Sequence, residues 1–504
     1  MKNRPAVESS AFVPRVAVIG AGFAGLTAAI RLTQDGADVR VYERSAGVGG
    51  VWRDNDYPGA ACDVPSFLYS WSFAPKPDWS RRFAGQAEIL AYIAATTTRF
   101  GIDDRIRFDH DLVAMTFDDE FAVWNLEFAN GVTAQADIVV AALGQMSTPA
   151  IPVLAGIGSF AGAAFHTAQW RHDVCLDGKK VVVVGAGASA IQVVPAIADR
   201  AASVTVLQRS PGYVLSKGAL ETRGGGSPLR ARLARYRGYL SKELSTPRLV
   251  RWPKLVAGAE RAYQRDLAGW VPNAELHQRV NPQDRYGCKR ILVSNDWYAT
   301  LQLPQVTLSD SAVAEVTTNS VRLMSGEDIK ADVIIYGTGF RTTAFLPGIR
   351  VVGEGGHELG AAWRETPNAY LGMAMTGFPN LFLMYGPNTN PAWNSVLMML
   401  EFQTNYLRSV IRRWKRSGPF TMDLRSDVGA KFARQLAARS ARSVWVTGCA
   451  NWFTTADGTN TQNWPALVSE YWARTRRVRW SDYNIRSRRS MTVPAKLVGE
   501  RVGR

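Results

Sequence analysis

Residues 15–45 read RVAVIGAGFAGLTAAIRLTQDGADVRVYERS, and this stretch decides the fold. The apolar run at 16–19 has the length and composition of a buried parallel strand. Gly20, Gly22 and Gly25 follow as G-x-G-x-x-G, then an alanine-rich helical run ended by Gly36, then a second strand, DVRVYE. In such a βαβ unit the first glycine permits the tight turn. The second lets the backbone approach a pyrophosphate, and the third packs helix against strand. The design recurs at 179–210, KKVVVVGAGASAIQVVPAIADRAASVTVLQRS, with Gly185, Gly187, Ser189, Ala190 and Gln192 in the turn and first helical turn. Two units whose turns lie 165 residues apart, Gly20 to Gly185, predict an α/β protein with two Rossmann-like dinucleotide-binding domains.

The end of the second strand in each unit separates the two ligands. In the first unit it is Glu43, a carboxylate placed to accept hydrogen bonds from a ribose 2′-hydroxyl, as FAD or NAD requires. In the second unit no acid stands there and Arg209 takes the place. A guanidinium binds a 2′-phosphate bidentately where a carboxylate would repel it. The first domain is therefore expected to hold FAD and the second NADPH.

Two further stretches, DIVVAALG at 137–144 and DVIIYGTG at 332–339, resemble each other and mark the exit from the first domain and the return to it. The expected layout is a discontinuous FAD-binding domain at 1–149 and 331–504, with an NADPH-binding domain at 150–330 inserted in it. Within the insert, 217–280 reads as helical and basic. Leu229, Leu233, Tyr236 and Leu240 make an apolar stripe at helical spacing, with Ser227 and Pro228 as cap and first turn.

Composition excludes several classes. The chain has 504 residues, 46% hydrophobic and 20% charged, enough for two or three domains with sizeable cores. No apolar run is long enough to span a bilayer and no secretory leader is visible, so a cytoplasmic location is expected. Cys62, Cys175, Cys288 and Cys449 lie far apart without a CxxC pair, which predicts neither a disulfide scaffold nor a metal site. Half of the net charge of +16 sits in 474–504, with ten Lys or Arg against two acids. No nucleic-acid motif accompanies it, so a solvated surface is expected.

The segment GGVWRDNDYPGAACDVPSFLYS at 49–70 is dense in glycine, proline and aromatics and reads as an ordered loop at the flavin end of the first nucleotide. Trp52 stacking there and Asp63 pointing at the ring is one reading. A packing tryptophan and a turn aspartate ahead of Pro65 is the other. Just before the second βαβ unit stands FAGAAFHTAQWRHD, residues 160–173, with Phe160, Gly162, His166 and Trp170 spaced as F-x-G-x-x-x-H-x-x-x-W.

On these residues the chain resembles the class B flavoprotein monooxygenases, specifically the Baeyer–Villiger branch of the flavin-containing monooxygenase superfamily. That family's F-x-G-x-x-x-H-x-x-x-W pattern is met by Phe160, Gly162, His166 and Trp170. Its second pattern, around G-x-W and a later aspartate, is met by Gly49, Gly50, Trp52, Tyr57, Pro58, Gly59 and Asp63. Its lysine–arginine pair matches Lys289 and Arg290 in GCKRILVSNDWY, and the likeness runs from about residue 15 to about 470.

The resemblance implies an enzyme that reduces FAD with NADPH, adds O2 to form a C4a-peroxyflavin, and inserts oxygen next to a ketone carbonyl to give an ester or lactone. It implies Arg290 as the central catalytic residue, held by Asp63. It also implies Lys289 beside Arg209 at the 2′-phosphate, and Tyr69, with Gly50 and Trp52, near the flavin. His166 is expected to fix a hinge between the domains rather than to act as a base. An N- or S-oxygenating enzyme acting on an amine or sulfide is the alternative. A flavin reductase or a non-enzymatic flavoprotein comes further behind. The expected partners are a small-molecule substrate and O2, with no nucleic acid and no metal.

Overall fold

A computed structural model of the chain describes residues 12–218, 228–364, 366–391 and 393–488. The strands that matter are β1 (Arg15–Ile19), β2 (Asp38–Tyr42), β3 (Ile106–Arg107), β4 (Ile138–Ala141), β5 (Ala163–His166), β6 (Lys180–Val184), β7 (Ser203–Leu207), β8 (Val306–Ser309), β9 (Val333–Tyr336) and β10 (Leu381–Leu383). The helices are α1 (Phe23–Gln34), α2 (Ala190–Ile197), α3 (Pro228–Ser245), α4 (Val396–Ser417) and α5 (Val468–Thr475). They build two five-stranded, all-parallel sheets ordered β10-β4-β1-β2-β3 and β8-β7-β6-β9-β5. In each, the strand that runs into the glycine turn is central, so the turn opens at the carboxyl edge of a sheet where strand order switches.

Period-2 alternation decides what covers each face. Val16, Val18, Ile138, Val140 and Phe382 point into a core shared with α1 and α4, whereas Ala17, Ile19, Val139, Ala141, Leu381 and Leu383 face a four-stranded sheet around Trp124. The second sheet repeats the plan. Val181, Val183, Val204, Val206, Val333 and Ile335 pack with Ile191, Val194 and Ile197 of α2, and Val182, Ile334 and Tyr336 pack against the three short strands at 313–330. Because both faces are buried, these strands read as unbroken valine and isoleucine runs.

The two chain crossings between the domains run side by side. Pro149 bridges Phe340, Ala150 N–H donates to Gly339 O at 2.9 Å, and Thr338 Oγ1 donates to Ala150 O at 2.6 Å.

Two expectations change, and the orientation of one apolar stripe is added. The stretch 332–339 does not begin in the first domain: β9 pairs with β5 and β6, so the chain crosses back only after Tyr336, and the boundary at 330 moves past it. Cys288 and Cys449 are bonded, with Cα atoms 6.3 Å apart, although nothing in their spacing announced it. The stripe of Leu229, Leu233, Tyr236 and Leu240 does form on α3, but it faces water. Ser227, proposed as the cap, lies outside the described residues, as does 489–504 of the basic tail. No helix among the described residues is long and apolar enough to cross a membrane.

Candidate active site

The first glycine turn is shaped by close approach. Gly20 has φ +105°, and a Cβ there would sit 2.7 Å from Ala142 O. A Cβ at Gly25 would fall 1.8 Å from Gly20 O, so only glycine lets α1 start this close to β1. Gly22 faces Gly50, the two backbones meeting where a Cβ on Gly22 would lie 3.5 Å from Gly50 Cα. Glu43 is buried at the end of β2. Its Oε2 accepts from Ala21 N–H at 2.6 Å and its Oε1 from Ser45 N–H at 2.9 Å. Each oxygen keeps a lone pair for a ribose hydroxyl. Uncapped N–H groups at the α1 terminus, a backbone-only cradle and a fixed carboxylate fit the pyrophosphate and ribose of FAD.

The second turn has the same geometry with looser walls. Gly185 has φ +109° and presses on Gly337 O, 2.6 Å from where its Cβ would be, while Gly187 has nothing nearer than 3.9 Å. Ser189 stands at the start of α2 and Ala190 is buried as its first residue. Arg209 is exposed beside Ser210, and Lys289 Nζ donates to Ser210 Oγ at 2.6 Å while pairing with Asp284 at 2.6 Å. Two cations 80 residues apart in the chain thus share one edge of the turn, which fits a 2′-phosphate.

The loop 49–70 bridges the two turns. Gln192, in the first turn of α2, accepts from Tyr57 Oη at 2.9 Å and donates to Ala61 O at 3.0 Å. Gly59, φ +83°, lets the loop lie on Gln192, whose carbonyl is 2.4 Å from where a Cβ would be. Trp52 Nε1 donates to Tyr69 Oη at 3.0 Å, edge-on to the same ring. From the far side comes Arg290: its Nε donates to Asp63 Oδ2 at 3.0 Å and its Nη2 bonds the same oxygen, leaving Nη1 without a hydrogen-bond partner among the described residues. The Asp63 carboxylate, against the cost of burial, holds the Arg290 guanidinium above its usual value, so it is a permanent cation. Burial pushes the Tyr385 phenol up to about 12, and Arg290 acts against that.

Sequence reasoning missed three neighbours of this pair. Cys288 ties the Lys289–Arg290 loop to the segment around Cys449. Lys242, on α3, holds its Nζ 4.0 Å above the Trp393 ring, and burial pushes it down to about 8 although the Asp63 carboxylate opposes this. Tyr385 adopts φ +58° and its N–H donates to Gln403 at 3.0 Å. None of the three belongs to a spacing pattern; only contact in the fold brings them together.

The 160–173 segment becomes β5 and the turn after it. Gly162 has no room for a side chain, since Asp332 O is 2.1 Å and the Phe160 ring 2.7 Å from its virtual Cβ. His166 is fully buried. Its Nδ1 accepts from Ala168 N–H at 3.0 Å, so its Nε2 carries the proton and donates to Gly339 O at 2.9 Å. Burial lowers its pKa, keeping the ring neutral. Trp170 packs edge-on against Phe165, 5.1 Å between centroids. His166 therefore pins the paired crossings and lies away from the Asp63–Arg290 pair in the hydrogen-bond network.

Two nucleotide turns, one acid-ended and one cation-ended, with an arginine–carboxylate pair between them, define a flavoprotein oxidoreductase that pairs a flavin domain with an NADP domain. A profile of flavin-binding monooxygenase-like proteins matches residues 13–347. A Baeyer–Villiger monooxygenase of Streptomyces coelicolor is 38% identical over 480 residues, covering 94% of this chain and 92% of that protein. One of Pseudomonas aeruginosa is 36% identical, covering 94% and 91%. Among solved structures, an oxidized steroid monooxygenase bound to NADP superposes with a TM-score of 0.83 at 26% identity, over 94% of this chain and all of that one. The chain belongs to the flavin-binding monooxygenase-like family, and is a Baeyer–Villiger-type monooxygenase that uses FAD and NADPH.

Proposed function

We propose that this chain oxygenates a ketone, with Arg290 as the catalytic cation and Asp63 as the residue that aims it. The observation that carries this is the Asp63–Arg290 pair, built from both domains and placed among Tyr69, Tyr385 and Lys242. Bound FAD and NADPH supply the redox chemistry: NADPH gives two electrons, and of the two atoms of O2 one enters the substrate and the other leaves as water. The chain's own residues do the rest. Arg290 offers Nη1 to the oxygen on which negative charge develops, and a cation already held in place by Asp63 stabilises that charge without reorganising. Asp63 acts through Arg290, holding two of its N–H groups. Arg209 and Lys289 hold the 2′-phosphate. Gly20, Gly22, Gly25, Glu43, Gly50, Trp52 and Tyr69 hold the flavin, and Gly185, Gly187, Ser189, Ala190 and Gln192 hold the pyrophosphate of NADPH. Neutral His166 moves no proton. It fixes the paired crossings about which the NADPH domain, set here at about 150–336, changes its angle.

The test is NADPH oxidation across ketones, amines and sulfides with mass analysis of products, run beside Arg290→Ala and Arg290→Lys. An ester or lactone is expected, falling about 100- to 1000-fold in the alanine variant, the usual loss for one charge-stabilising donor. Sulfoxide or amine oxide without ester would overturn the ketone reading, and an unimpaired Arg290→Ala would remove the arginine from it.

A further inference from the structure

Helix α3 is folded inside out. Its inward face carries the polar groups. Arg235 Nη1 donates to the carbonyls of Phe67, Leu68 and Ser70 at 3.3, 3.3 and 2.6 Å. Buried Glu243 accepts from the N–H groups of Val468 and Ser469 at the start of α5, at 3.2 and 2.8 Å. Lys242 lies on Trp393, and Gly238 is pressed on Phe67 and Leu68. The outward face carries Leu229, Leu233, Tyr236, Leu240 and Leu244, in steps of four, three, four and four, which is one stripe along the helix. Their exposure runs from 41% at Leu240 to 71% at Leu244. Trp252 and Leu255 continue the apolar surface past the helix end. Seven of the fifteen exposed large hydrophobic residues among the described residues fall between Leu229 and Leu255. Single exposed leucines are ordinary, but such a concentration marks an interaction surface.

We infer that this outward face of α3, with the turn after it, docks on an anionic lipid membrane. Charge selects the partner. Arg232, Arg237, Arg248, Arg251 and Lys254 are exposed along the stripe and beyond it, and the one acid between 228 and 256 is the buried Glu243. A second copy pairing by two-fold symmetry would set these cations against themselves, whereas anionic headgroups complement them. Tyr236 and Trp252 are the aromatic types that settle at the interface between headgroups and acyl chains. The helix lies in the membrane surface rather than crossing it. Its other face carries Lys242, whose Nζ lies 4.0 Å over the Trp393 ring.

The experiment is flotation of the full-length, FAD-loaded enzyme with vesicles of phosphatidylcholine alone or mixed with phosphatidylglycerol, at low and high salt. Flotation with the anionic vesicles, weakened by salt, is expected. Leu233→Ser/Leu240→Ser and Arg237→Glu/Arg251→Glu should each lower that binding about tenfold or more, with ketone-dependent NADPH oxidation in vesicle-free buffer unchanged. The salt arm on the wild type and the charge reversal stand independently of the leucine variant's folding. An enzyme that stays unbound with both vesicle types overturns the inference, as does equal binding to neutral vesicles, or a light-scattering dimer that Leu233→Ser splits.

Discussion

The two glycine turns share a backbone and differ in their walls. Around the first, the carbonyls of Ala142 and Gly20, the backbone of Gly50 and the buried Glu43 leave no slack. Around the second, Gly187 stands open and Arg209, proposed for the 2′-phosphate, lies in solvent. The tight walls of the first suit a nucleotide that stays, and the open walls of the second suit one that exchanges. An enzyme that reduces a resident flavin with an exchanging NADPH needs both kinds.

The largest expected effect breaks the tight turn. Gly25→Val drives a side chain into Gly20 O, so the protein should purify without flavin absorbance, while Gly187→Ala should keep its flavin and only raise KM for NADPH. Flavin per polypeptide measures both, and a flavin-loaded Gly25→Val would end the comparison.

Next is the covalent tie between the regions. Cys288 belongs to the NADPH side and Cys449 to the flavin side, 161 residues apart. Closing a loop of that length restricts the unfolded chain, and typical native disulfides contribute about 2–4 kcal/mol. Cys449→Ser, or reduction of the wild type, should lower Tm by several degrees, and an unmoved Tm would show that the bond contributes nothing.

Smaller again, and sharper, is Arg209→Ala. Losing a charge-assisted contact costs about 1.5–3 kcal/mol, roughly a 10- to 100-fold rise in KM for NADPH. The KM for NADH, which lacks the phosphate, should hold still. Equal shifts for both would place Arg209 elsewhere.

The smallest effect tests the buried side. Asp423 accepts from Gly377 N–H at 2.8 Å, and burial raises its pKa from 3.8 to about 6. Between those values the folded state binds more protons than the unfolded, so stability is greatest below the window and falls as pH rises through it. Asp423→Asn keeps the acceptor and should raise Tm slightly at neutral pH while flattening the acid side of the profile. A lowered Tm would reverse the sign of this argument.

Local patterns carried most of the fold. Glycine spacing, valine runs and strand-end residues are short-range features with a direct physical reading, and both five-stranded sheets follow from them. The Asp63–Arg290 pair was legible only because two separate motifs flagged its partners; the 227-residue gap between them carries no signal of its own. Cys288–Cys449 had no motif, so spacing argued against it. Helix α3 marks a different limit. Its period was plain, but which side of a stripe meets the protein depends on the neighbour, and here the neighbour offers three carbonyls and a helix terminus, which need Arg235 and Glu243 rather than leucine.

Strand β10 completes the first sheet by pairing Leu381 with Val139 across the whole inserted domain. During synthesis, β4 therefore waits with an open edge while everything from β5 to β9 is made and can close on itself. The domain that binds the visiting nucleotide is available first. The first sheet is completed last, once 381–383 emerges and α4 can cover the face of α1.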